Sequence, residues 1–112
     1  MPRRGELYLA SDAPGDAKSN RVVLVVSRQR FLDSNHPMVV CVPVYSRGQG
    51  LTTQVQIGVA EGLKHDSSLH CDDIIRMRRE QLRAWVGTLS RAKMREVNTA
   101  LTIALGLDDN EG

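Results

Sequence analysis

The sequence predicts a mainly β domain with a terminal helix, an α+β chain whose short strands bend into a small antiparallel barrel. Three observations predict it. The runs Val22-Val23-Leu24-Val25-Val26 and Val39-Val40-Cys41-Val42-Pro43 have the β-branched content and length of buried strands. The segment Thr53 to Ile57 alternates Val55 and Ile57 with Gln54 and Gln56, as a strand with one wet face does. Between Ser90 and Gly106, Met94, Val97, Leu101, Ala104 and Leu105 share one helical face, which packs on the sheet.

The elements follow in order. Gly5 to Ala10 reads as a first strand, with Leu7 and Leu9 on one face. Ser11 to Asn20 holds Pro14, Gly15 and small polar residues, so it reads as a loop. Arg21 to Ser27 and Met38 to Tyr45 are strands, joined by a short helix at Arg28 to Asp33 and a turn at Ser34-Asn35-His36-Pro37. Arg47 to Gly50 is a tight turn, and Ser68 to Ile74 a strand. Arg78 to Arg83 forms one helical turn and Ala84 to Leu89 another strand. Ser90 is the expected N-cap of the last helix and Gly106 its C′ residue.

A chain of 112 residues, 41% of them apolar, is long enough for one core, so a single domain over residues 1–112 is expected. The basic N-terminus is not followed by an apolar stretch, which argues against a signal peptide, and no apolar run is long enough to span a bilayer. Cys41 and Cys71 lie in strand-like segments without metal-type spacing. They read as buried free thiols in a reducing cytoplasm, with a disulfide between them left open. The net charge of +2 is unevenly spread: Arg76, Arg78, Arg79 and Arg83 crowd one stretch, and Asp108-Asp109-Asn110-Glu111 make an acidic tail. Such a basic block fits a polyanion or an acidic peptide, or simply a solvated surface.

One residue stands out for chemistry. Arg21 directly precedes a buried strand, and a guanidinium at a strand mouth has a fixed position from which to meet a phosphate. The plain alternative is an arginine that stays in water.

The order of the pieces says more than each piece. Arg3-Arg4-Gly5-Glu6-Leu7-Tyr8 is followed by Arg21 to Ser27 and Val42-Pro43-Val44-Tyr45-Ser46. Then come Leu63-Lys64-His65-Asp66-Ser67-Ser68, Cys71-Asp72-Asp73-Ile74, Val86-Gly87-Thr88-Leu89-Ser90 and the last helix. From Arg3 to about Leu107 this series resembles the MazF/PemK family of toxin endoribonucleases. The resemblance implies an SH3-like barrel of the CcdB/PemK type with the helix docked on it. It also implies metal-independent, sequence-specific cleavage of single-stranded RNA, in which the 2′-hydroxyl attacks phosphorus and leaves 2′,3′-cyclic phosphate and 5′-hydroxyl ends. It further implies a homodimer and a small acidic, MazE-like antitoxin, and no cofactor.

Carried over residue by residue, the family's strand-opening arginine falls on Arg21, where it would stabilise the phosphorane and take part in proton transfer. Val22 stands where many relatives have proline. The family's phosphate-contacting threonine falls on Tyr45, followed by Ser46. Adjacent strand residues point to opposite faces, so either the tyrosine donates from farther away or the strand ends and Ser46 turns inward. The second arginine of the motif Cys-Asp-Gln-Ile-Arg-Thr falls on Ile75, and Arg76 comes one residue later, on the other face of a regular strand. Arg76, Arg78 and Arg79 are the expected RNA contacts. The sequence shows no metal-ligand signature, Asp72-Asp73 reads as a strand-edge feature, and His36, His65 and His70 read as surface or core residues. A non-catalytic RNA- or protein-binding module on the same barrel is the alternative that the Tyr45 and Ile75 departures allow. A gyrase-poisoning, CcdB-like form of it is disfavoured, because the chain ends Asp108 to Gly112 rather than in a Trp-Gly-Ile-like tail.

Overall fold

The computed structural model describes residues 2–11 and 20–108. The interior of the predicted Ser11–Asn20 loop and the acidic tail beyond Asp108 lie outside the described residues. The strands are β1 (Glu6–Ser11), β2 (Asn20–Val25), β3 (Met38–Tyr45), β4 (Gln54–Ile57), β5 (Ser67–His70), β6 (Ile75–Arg78) and β7 (Leu82–Thr88), and the helices are α1 (Gln29–Asp33) and α2 (Arg91–Ala104). All strand pairs are antiparallel. The order across the sheet is β4-β5-β3-β2-β1-β7, with β6 also on β3.

β2 reads as a continuous apolar run because both of its faces are covered. Val23, Leu24 and Val25 are all fully buried. Leu24 joins Leu7, Val42, Val55, Ile57 and Leu69 in a core closed by Val97 and Ala100 of α2. Val23 and Val25 join Ala10, Val39, Cys41 and Met77 in a second core, closed by Leu32 of α1. Burying one such aliphatic side chain contributes roughly 1.5–3 kcal/mol, so these two layers fix the sheet.

The expected class holds, with one change of shape: the sheet bends strongly but does not close into a barrel, since β4 and β7 remain its two ends. The bending has local causes. Two register shifts, between Leu7 and Tyr8 and between Leu9 and Ala10, interrupt the β1–β7 ladder, and such irregularities increase twist. β3 also forks, pairing with β6 through Met38–Cys41 and with β5 through Val44 and Tyr45. The fork corrects the single strand expected from Ser68 to Ile74. β5 stops at His70, and a 3₁₀ turn, Cys71–Asp73, separates it from β6. Cys71 is fully buried, its N–H donates to the Thr53 carbonyl (3.0 Å), and the Thr53 hydroxyl donates to the Asp72 carboxylate (2.5 Å). These bonds fix the turn that carries the chain from one half of β3 to the other.

α2 begins and ends where its capping residues predict. The Ser90 hydroxyl accepts the Lys93 N–H (3.1 Å). At the other end Gly106 has φ +66°, its N–H donates to the Ile103 carbonyl (3.1 Å), and the Leu107 N–H donates to that of Thr102 (2.9 Å). This paired pattern is a Schellman close. Ala100 takes the core place expected for Leu105, which is 58% exposed. Both cysteines are free and buried, and burial pushes their thiols up to about 12 for Cys41 and about 11 for Cys71. Protonated thiols are poor nucleophiles, so neither is a candidate for covalent chemistry.

Candidate functional site

The mouth of β2 is one wall of an open cleft of about 680 Å³. Arg21 is half-buried there, paired with Ala10 of β1. Val23 lies opposite Pro43, so the same register carried two residues further sets Arg21 beside Tyr45, the last residue of β3. Ser46 follows immediately outside the strand, and Arg21, Tyr45 and Ser46 all line the cleft. The strand end resolves the two-face problem posed by adjacent residues: the period of two binds only while the strand lasts. The cleft has an apolar floor of Leu9, Val22, Val44, Leu63 and Val86.

The opposite wall is the chain between β4 and β5. It begins with the 3₁₀ turn Val59–Glu61, whose Glu61 carboxylate accepts the Gly58 N–H (2.6 Å). Gly62 follows with φ +102°, a left-handed conformation that glycine adopts without steric cost. Its backbone lies flat on β7: a Cβ on Gly62 would stand 2.4 Å from the Val86 carbonyl oxygen. Lys64 and His65 come next and both line the cleft. The sequence reading missed them as site residues. Their segment looks like any polar loop, and only the tertiary contact of Gly62 with β7 brings it to Arg21.

Tyr45 is held from the side. Its ring meets the His70 ring edge-on, with centroids 4.5 Å apart at 64°. Ser68 is the direct partner of Tyr45 on β5, so His70 is its diagonal neighbour, within reach of an aromatic pair. His70 Nε2 bonds the Arg47 carbonyl (3.0 Å), and because a carbonyl only accepts, Nε2 carries the proton. A second cleft, of about 530 Å³ and lined by Arg47, His70, Asp72 and Asp73, meets the first at Tyr45 and Ser46.

Among the described residues, the charged side chains that line the main cleft are basic. Arg21 and Lys64 line it, and no carboxylate does among the described residues. Such a rim attracts an anion and suits the non-bridging oxygens of a phosphate. No group of three or more His, Cys, Asp or Glu side chains is placed to hold a metal ion among the described residues.

The other three expected contacts are elsewhere. Arg76 lies opposite Val40, five residues along β3 from Tyr45 and so about 16 Å away. It is exposed, while its neighbours Ile75 and Met77 pack into the second core, as the alternation requires. Arg78 is exposed opposite Met38, farther still from Tyr45. Arg79 is tied into the fold, its Nε donating to the His36 carbonyl (3.0 Å) and its Nη2 to that of Leu32 (3.0 Å). It therefore fastens the end of α1 and the turn after it.

No helix among the described residues is long and apolar enough to cross a membrane. Residues 3–105 match the family model described as PemK-like, MazF-like toxin of type II toxin-antitoxin system. The fold is similar to an endoribonuclease from a mycobacterial species (27% identity, 94% of this chain and 91% of that one, TM-score 0.78). It is also similar to a mycobacterial endoribonuclease solved in complex with its cognate antitoxin (26% identity, 96% and 97% covered, TM-score 0.82). A MazE–MazF structure from Deinococcus radiodurans shares the fold at 20% identity (95% and 96% covered, TM-score 0.76).

Proposed function

Because the chain belongs to the PemK-like, MazF-like toxins of type II toxin–antitoxin systems, we propose that it poisons by cutting single-stranded RNA in the Arg21 cleft. The observation that carries this reading is the convergence of Arg21, Tyr45, Ser46 and Lys64 on one cleft that no described carboxylate lines. The two similar mycobacterial structures, both endoribonucleases, support it.

In this mechanism the ribose 2′-hydroxyl attacks the adjacent phosphorus and the 5′-oxygen leaves. Charge builds on the non-bridging oxygens, and Arg21 meets them with its planar fork of N–H donors. Ser46 supplies a short-range hydroxyl, and Tyr45, steadied by His70, supplies either a second donor or a ring on which a base stacks. The positive charge comes from side chains, so no metal is required. A small acidic antitoxin competes for the same cationic rim, in keeping with the antitoxin complex of the mycobacterial relative. The active form is a homodimer.

The test is a mixed-sequence RNA incubated with the protein in EDTA. Fragments with 2′,3′-cyclic phosphate and 5′-hydroxyl ends at one short motif are expected. A deoxyribose on the 5′ side of the cut should block the reaction, because the nucleophile is gone. Cleavage that EDTA stops and magnesium restores would overturn the mechanism, and binding without cleavage would return the chain to a non-catalytic binder.

The basic stretch divides in two under this reading. Arg79→Ala removes charged hydrogen bonds worth about 1–3 kcal/mol and should lower the melting temperature by roughly 4–8 °C for each kcal/mol lost. RNA affinity should not change. A melt and a binding isotherm on the same variant check this, and weakened RNA binding at an unaltered melting temperature would restore Arg79 as a phosphate contact.

A further inference from the structure

The scheme above leaves the protons without a carrier. Breaking the P–O5′ bond expels a primary alkoxide, which departs readily only as the alcohol. The resemblance gives Arg21 a share in proton transfer, but a guanidinium holds its proton too tightly to serve as an efficient acid near neutral pH. Of the side-chain types on this rim, only an imidazole exchanges a proton near neutral pH. Resting on the ribonuclease reading, we propose that His65 is the general acid of the cleft and delivers its proton to the 5′-oxygen.

The three histidines differ in what their rings already do. His36 Nδ1 accepts the Met38 N–H (3.1 Å), and its ring packs on Phe31 at 4.7 Å. His70 is bonded to the Arg47 carbonyl and braces Tyr45. The His65 imidazole is exposed on the cleft and makes no hydrogen bond to a described residue. Its backbone is nevertheless held, since its carbonyl accepts the Ser67 hydroxyl (3.1 Å) at the start of β5. On the other side Gly62 is pressed against Val86, and a Cβ on Gly87 would stand 1.9 Å from the Glu61 carbonyl oxygen. The anchored backbone fixes where the ring is presented on the cleft, and the unclaimed ring leaves a nitrogen to meet a substrate oxygen.

The step balances. The 2′-oxygen forms its bond to phosphorus and its proton passes to water. The P–O5′ bond breaks, the 5′-oxygen takes the imidazolium proton, and the neutral imidazole is reprotonated by water.

The test compares two RNAs, one ordinary and one with sulfur in place of the bridging 5′-oxygen, whose thiolate leaves without a proton. On the ordinary RNA, His65→Ala and the bulkier His65→Gln should be slower by about 100-fold or more, the usual worth of a general acid. On the sulfur substrate both should approach the wild-type rate, while Arg21→Ala stays impaired on both. Added imidazole should restore part of the His65→Ala rate. A wild-type rate for the variants on ordinary RNA, or equal losses on both substrates, overturns the assignment while leaving the ribonuclease reading in place. Wild-type protein that cuts neither RNA overturns both.

Discussion

Arg21→Ala is expected to slow RNA cleavage by about 100- to 1,000-fold, the usual cost of one preorganised transition-state donor. The fold should survive the change. Arg21 precedes the fully buried part of β2, so both cores keep Val23, Leu24 and Val25. Arg21→Lys should fail as well: an ammonium is a point charge and cannot hold two phosphate oxygens in one plane. Lys64 remains in the cleft in either variant, so substrate still binds and the loss falls on kcat more than on KM. Single-turnover rates beside a thermal melt decide it. Activity within a few-fold of wild type, from a protein that melts normally, would remove Arg21 from the chemistry.

Much of this molecule is legible in local sequence. The strand from Met38 to Tyr45 has the bounds that its valines predict. The caps at Ser90 and Gly106 sit where their residue types place them. These features depend on neighbours in the chain, and so does the position of Arg21 before an apolar run. What local pattern does not report is pairing at a distance. Cys71 looks like a strand residue because it is apolar and buried, yet it opens a 3₁₀ turn fixed by Thr53. Arg79 looks like one more surface cation in a basic run, yet carbonyls of Leu32 and His36 claim its guanidinium. The second wall of the cleft is the same kind of omission. Lys64 and His65 reach the cleft only because Gly62 meets β7, a contact between segments far apart in sequence.

That contact sets the other large effect. Gly87→Ala is expected to destabilise the protein by about 1–3 kcal/mol, the range for overpacking a filled site, and by more if the backbone cannot shift. Gly87 is buried in β7, and no left-handed backbone strain enters, because its φ is not positive. The whole effect is steric. The new Cβ would stand 1.9 Å from the Glu61 carbonyl oxygen and 3.4 Å from the Gly62 Cα, so the chain carrying Lys64 and His65 must move away from β7. Melting temperature should fall by roughly 4–8 °C per kcal/mol. Cleavage should fall further than the unfolded fraction accounts for, since the displaced loop is one wall of the cleft. Gly50→Ala is the comparison: Gly50 has φ +72° but nothing within 4 Å of its Cβ position, so only about 1–2 kcal/mol of left-handed strain applies and the cleft is untouched. Rates measured well below each melting temperature separate the two effects. If Gly87→Ala cleaves as fast as Gly50→Ala there, the loop's seat on β7 matters for stability alone.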